Sequence, residues 1–161
     1  MCNQRGIGKD GDLPWKIKED LNFFSKLTKG NNKNAVVMGK NTWNSLKKHL
    51  PDRDNLIIST SLTIDETRDT NIVKTFQSID EVNAFCENKE YDDVWVIGGG
   101  EIYKQFIDKD LCDQCIITFI NNNYDCDTFF PVLDNKWVIS SIMPMKTEQE
   151  FSVQVWNVVK A

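Results

Sequence analysis

No apolar run among the 161 residues approaches the ~18 that a membrane-spanning helix needs, and no basic segment leading into a short apolar stretch opens the chain. Both absences set the expectation of a soluble, cytoplasmic protein with no membrane partner. Basic residues are in the minority, with 19 Lys and Arg against 24 Asp and Glu and a net charge of −5. An acidic chain lacks the broad positive footprint that nucleic acid requires, so nucleic acid is not an expected partner. Histidine occurs once, at His49, and the five cysteines, Cys2, Cys86, Cys112, Cys115 and Cys126, are an odd number unlike a disulfide framework. Cys112 and Cys115 spell C-x-x-C without a second ligand pair, so no metal site is expected and the thiols read as reduced and partly buried. Internal repeats, low-complexity tracts and Pro/Gly/Ser linkers are also missing, and at this length residues 1–161 are expected to form one domain.

What is present is the composition of an ordinary folded protein: 40% hydrophobic, 27% charged, with nine Phe and five Trp. The chain opens on a glycine-punctuated loop, GIGKDGDLPW, from Gly6 to Trp15. Ile17, Leu21, Phe24 and Leu27 or Thr28 then recur at helical spacing, which predicts an amphipathic helix over Lys18 to Lys29, closed by Gly30. NAVVMG (34–39) reads as a buried strand, and NTWNSLKKHL (41–50) as a helix that stops at Pro51. NLIIST (55–60) and NIVKTF (71–76) are further strands, and Ser78 with Glu81 has the spacing of a helix-opening capping box. VWVIGGG (94–100) runs a strand into three glycines ahead of a helix at EIYKQFI. QCIITFI, KWVISSIM and FSVQVWNVV end the chain as strands with no helices between them. Strands alternating with helices, then strands alone, predict an α/β fold: a mainly parallel twisted sheet flanked by helices, with an antiparallel C-terminal edge.

Asp20 is the most anomalous residue. It lies three residues after Ile17, four before Phe24 and seven before Leu27, so its carboxylate projects from the apolar stripe. A buried carboxylate costs several kcal/mol unless something hydrogen-bonds it. A ligand with amide-like or amidine-like N–H groups would do so, and burial would raise the pKa into a range useful for proton handling. Gly98, Gly99 and Gly100 join a strand to a helix, an arrangement in which backbone N–H groups can face a phosphate. Gly39 and Lys40 form a second such turn, with Thr42 near the helix start. Two phosphate-ready turns suggest a dinucleotide. Arg53 stands before a buried strand, equally able to meet a substrate carboxylate or to pair at the surface with Asp52 or Asp54.

IGKDGDLPW, an acid five residues after that Trp, VVMGKNTW, LPDRDNLIIS, VIGGGEIY, ITFI, DTFFP and FSVQVW follow one another in an order and spacing that resembles dihydrofolate reductase over nearly the whole chain. The resemblance implies a monomeric, NADPH-dependent enzyme of one-carbon metabolism that reduces 7,8-dihydrofolate to tetrahydrofolate and binds antifolates. By position it implies Asp20 as the catalytic acid on the pterin, Trp15 holding an ordered water, and Thr118 extending the network behind Asp20. Leu21, Phe24, Leu46 and Leu50 would wall the substrate, Arg53 would clamp its glutamate α-carboxylate, and Ile97 and Tyr103 would border the ring pocket. Ile7, Gly39, Lys40, Thr42, Ser59, Thr60, Gly98, Gly99, Gly100, Glu101, Ile102 and Tyr103 fall where the family binds cofactor.

The resemblance also implies an apolar central strand ahead of the opening loop, where this sequence has MCNQR. The first strand is therefore expected to be truncated, leaving neighbouring backbone groups unpaired. A non-catalytic folate-binding relic is the alternative function. A pterin or pyrimidine reductase and an α/β interaction protein are weaker rivals, the last leaving Asp20 unexplained.

Overall fold

The computed structural model describes residues 1–161, which divide into two compact units, Phe24–Gln105 and the combination of Met1–Phe23 with Phe106–Ala161. In chain order the elements are β1 (Gly6–Gly8), α1 (Lys18–Lys29), β2 (Ala35–Gly39), α2 (Lys40–Ser45), β3 (Asp54–Ile58), β4 (Asp65–Arg68), β5 (Asn71–Phe76) and α3 (Ile79–Glu87). They continue with β6 (Val94–Gly98), α4 (Gly100–Asp108), β7 (Gln114–Ile120), β8 (Thr128–Phe129), β9 (Trp137–Met145) and β10 (Val153–Lys160).

The unit Phe24–Gln105 is built on a five-stranded sheet in the order β4-β5-β3-β2-β6. β2, β3, β5 and β6 are parallel, and β4 adds an antiparallel edge. Every residue of β2 is buried, as expected of a continuous apolar run covered on both faces. Val36, Met38, Ile57 and Val73 form its core. β4 escaped the sequence reading because its residues, Asp65, Glu66, Thr67 and Arg68, carry no apolar alternation and pair as a solvent-facing edge. The capping box at α3 forms as expected: the Glu81 amide donates to Ser78 Oγ (3.1 Å), while Glu81 Oε2 accepts from the Gln77 amide (2.9 Å).

The helix expected over 41–50 ends at Ser45. Ser45 Oγ donates to the Thr42 carbonyl (2.6 Å), Leu46 is already extended (ψ 138°), and Asn55 grips the Leu50 backbone through both its amide and its carbonyl (2.9 Å each). A buried side-chain amide that satisfies one residue's N–H and C=O removes the reason for that residue to be helical.

The other unit holds the antiparallel sheet β7-β10-β9 and the short ladder of β1 with β8. The C-terminal strands pair antiparallel, as expected, with β10 between β7 and β9. Cys2, Trp15, Ile17, Ile120 and Val153 make the core here, with Trp15 tilted against Tyr124 at 5.5 Å between ring centroids. Met1 gives partners to two backbone groups of β7: its ammonium donates to Thr118 O and its carbonyl accepts from the Ile120 amide, both at 2.8 Å. The opening loop is a tight hairpin. Lys9 and Asp12 exchange backbone bonds across Asp10 (φ 51°) and Gly11 (φ 79°), the positive-φ pair that a type I′ turn demands. Segment 125–129 ties it down, through Asp127 N to Gly8 O (2.9 Å), Asp10 N to Asp127 Oδ2 (3.0 Å) and Lys9 to Asp125 (3.3 Å).

Candidate active site

In the unit containing both termini, Asp20 stands half-buried in the first turn of α1, within reach of Thr118 on β7 and of Trp15. Burial dominates its acidity and raises the pKa above the usual carboxylate value. The Thr118 hydroxyl, the Met1 ammonium and the Trp15 indole pull in the opposite direction without cancelling it. Trp15 Nε1 is buried and makes no hydrogen bond of good geometry, yet it lies close enough to the Asp20 carboxylate to lower its pKa. Asp20, Trp15 and Thr118, expected together, are brought together.

A cleft of about 430 Å³, walled by Leu13, Trp15, Lys18, Leu21 and Glu148 among others, opens on the Trp15 side of this group; Asp20 and Thr118 do not line it. The volume falls within the range of small-molecule sites. Leu21 lies on the apolar stripe by spacing, yet it is 52% exposed and faces this cleft, so it is a pocket residue and not core. Leu13 and Glu148 were not anticipated. Leu13, an apolar residue just after the turn at Asp10 and Gly11, carried the one readable signal. Ile7 sits half-buried on β1.

In the unit Phe24–Gln105 the two glycine turns are adjacent. A Cβ on Gly39 would lie 3.0 Å from Ile102 Cγ1, and one on Gly98 would meet Thr42 Oγ1 at 3.4 Å and the Tyr103 hydroxyl at 3.5 Å. Gly98 also holds φ +129°, a conformation that favours glycine strongly. Gly39, Thr42, Gly98, Gly99, Ile102 and Tyr103 therefore share one small region. Gly39 caps α2 without any side-chain acceptor, and Gly100 opens α4. Lys40 Nζ donates to Ser61 Oγ (2.9 Å), and the Ser61 and Leu62 amides donate to Ser59 Oγ (3.1 and 3.0 Å). Ser61, which links Lys40 to Ser59, was missed, although the hydroxyl run Ser59-Thr60-Ser61 after a buried strand signals such a site. Thr60 is exposed, and Glu101 accepts from Gln105 Nε2 along its own helix (3.3 Å). Close backbone approach without Cβ atoms, clustered hydroxyls and one cation fit a phosphate-bearing dinucleotide.

Arg53 overturns its surface alternative. It is 2% exposed, and Asp52 and Asp54 are taken by others: Lys29 pairs with Asp52 (3.8 Å), while Tyr91 Oη and the Ile72 amide donate to Asp54. Arg53 Nε donates to Pro51 O (2.8 Å) and Nη1 to Thr28 Oγ1 (2.9 Å), whose own hydroxyl donates to Phe24 O (2.8 Å). Burial lowers its pKa, and no carboxylate of the chain bonds to it. Leu46, Leu50 and Ile97 each pack against the core formed by Val36, Met38, Ile57 and Val73, and Phe24 is half-buried on α1.

The family model for dihydrofolate reductase matches residues 1–159. The dihydrofolate reductase of Drosophila melanogaster is 33% identical over 165 residues, covering 96% of this chain and 90% of that protein. That of Heliothis virescens is 33% identical over 84% of this chain and 77% of its own length. The bifunctional dihydrofolate reductase-thymidylate synthase 2 of Arabidopsis thaliana is 41% identical over 81% of this chain, which spans only 25% of that longer protein.

Proposed function

The chain belongs to the dihydrofolate reductase family, and we propose that it reduces 7,8-dihydrofolate to 5,6,7,8-tetrahydrofolate with NADPH, using Asp20 as the acid of the site. One observation carries the assignment of Asp20: a half-buried carboxylate of raised pKa stands beside a hydroxyl donor and an unmet indole N–H. NADPH, when bound, supplies the hydride that adds to C6. The Asp20 carboxylate accepts from the pterin ring N–H and 2-amino group, two parallel bonds that orient the ring and favour a proton at N5. Thr118 holds the carboxylate in that orientation, and the Trp15 N–H binds the solvent through which a proton passes.

Leu21, Phe24, Leu46 and Leu50 wall the apolar parts of the substrate, and Ile97 and Tyr103 border its ring. Arg53 binds the substrate α-carboxylate; the absence of a carboxylate partner within the chain supports this role. Ile7, Gly39, Lys40, Thr42, Ser59, Thr60, Gly98, Gly99, Gly100, Glu101, Ile102 and Tyr103 hold the cofactor, with Lys40 the cation for its 2′-phosphate. Antifolates compete at Asp20. The protein acts as a cytoplasmic monomer whose product supplies one-carbon units, including those for thymidylate. Product analysis after turnover with each cofactor tests this reading. Tetrahydrofolate formed at a clearly higher kcat/KM with NADPH is expected, whereas equal kcat/KM with NADH would remove the role given to Lys40.

A further inference from the structure

Two nucleophilic side chains have no part in the reaction above. Between α4 and β7 the chain bends at Asp113, and this bend brings the sulfurs of Cys112 and Cys115 to 3.9 Å, with both thiols free. The two residues are unequally placed. Cys115 is buried within the ladder, opposite Val158 of β10, whereas Cys112 precedes the strand and is partly open to solvent. In the neutral pair Cys112 Sγ donates to Gln114 O (3.3 Å). Of the charged groups nearby, Lys160 favours a thiolate at Cys112 and Asp113 opposes it, and Lys160 is itself bonded to Asp110. The bond from the Cys115 thiol is the largest influence and brings Cys112 down to about 7, while Cys115 is pushed up.

The second sulfur pair is placed differently. Cys2 and Cys126 lie 3.7 Å apart, but Cys2 is 1% exposed, and Gly6 packs so closely that a Cβ there would overlap both sulfurs. Burial pushes the Cys126 thiol up.

We infer that Cys112 and Cys115 form a redox-active dithiol that exchanges with low-molecular-weight disulfides of the glutathione type, closing an intrachain disulfide at the start of β7. The Cys112 thiolate attacks one sulfur of the small disulfide, whose S–S bond breaks to release one thiolate and leave a mixed disulfide on Cys112. With the neighbouring thiolate gone, Cys115 gives up its proton to the released thiolate and attacks the Cys112 sulfur. The mixed bond breaks, and the second small thiolate leaves and takes from solvent the proton that Cys112 had released. Two protein thiols are oxidised and one disulfide is reduced to two thiols.

The test incubates the full chain with oxidised glutathione, followed by denaturation, alkylation and peptide mass mapping. The peptide spanning Cys112 and Cys115 is expected to lose two hydrogens and resist alkylation while Cys2, Cys86 and Cys126 still alkylate. Cys115→Ser should trap the intermediate, raising glutathione on Cys112 about tenfold over the wild-type chain, because no resolving thiol remains. Cys112→Ser should give neither crosslink nor adduct at Cys115. Equal alkylation of all five cysteines, prior closure of Cys2 with Cys126, or no adduct on Cys112 in Cys115→Ser would each overturn the inference.

Discussion

At the scale of single residues, Asp20 links stability to function. Its folded pKa is raised, so the folded state holds this proton more tightly than the unfolded chain does. The stabilising contribution is full below the unfolded carboxylate pKa and is lost as pH rises through the folded value. Asp20→Asn is therefore expected to raise the melting temperature at pH 7 relative to the wild-type chain, with the difference closing as pH falls into the carboxylate range. The same substitution should lower kcat by about 10²-fold or more, the usual worth of a positioned acid. A thermal melt at two pH values and a steady-state assay check both halves. Arg53 was readable only as a charged residue before a strand. Its burial depends on Thr28 and Pro51, which spacing along the sequence does not bring to it. Arg53→Lys loses the planar fork and should raise KM for dihydrofolate about tenfold with little change in kcat, since a point charge cannot replace two parallel bonds.

Among the elements, the start of α3 was legible to the residue because it rests on a local rule, Ser78 and Glu81 three positions apart. Ser78→Ala should cost about 1 kcal/mol in urea-induced unfolding, the common worth of such a cap. α2 was misread because its end is determined by Asn55, a residue outside it that periodicity cannot see. β1 and β8 are three and two residues long and pair only with each other, too short for any alternation to register. The glycine turns were visible as sequence, but their adjacency was not. Gly98→Ala places a side chain at φ +129°, a backbone conformation that L residues rarely adopt, so it should weaken NADPH binding far more than Gly39→Ala, where φ is ordinary and the 3.0 Å approach to Ile102 Cγ1 is relieved by a side-chain shift. Fluorescence titration with NADPH distinguishes the two.

For the whole molecule, the alternation of strands and helices made the parallel sheet readable, because strands buried on both faces announce themselves as unbroken apolar runs. Its polar edge strand was not readable, since Asp65–Arg68 carries no apolar alternation to announce it. The grouping of Trp15, Asp20 and Thr118 is likewise a product of folding, although each residue was marked out beforehand. The central claim is that this chain transfers hydride to dihydrofolate under the control of Asp20. The most direct measurement is the loss of NADPH absorbance on adding dihydrofolate, run side by side on the wild-type chain and on Asp20→Asn at neutral pH. Dihydrofolate-dependent NADPH oxidation that falls by about 10²-fold or more in the variant is the predicted result. Saturable methotrexate binding with no NADPH oxidation by the wild-type chain, or equal rates in the two proteins, would contradict it.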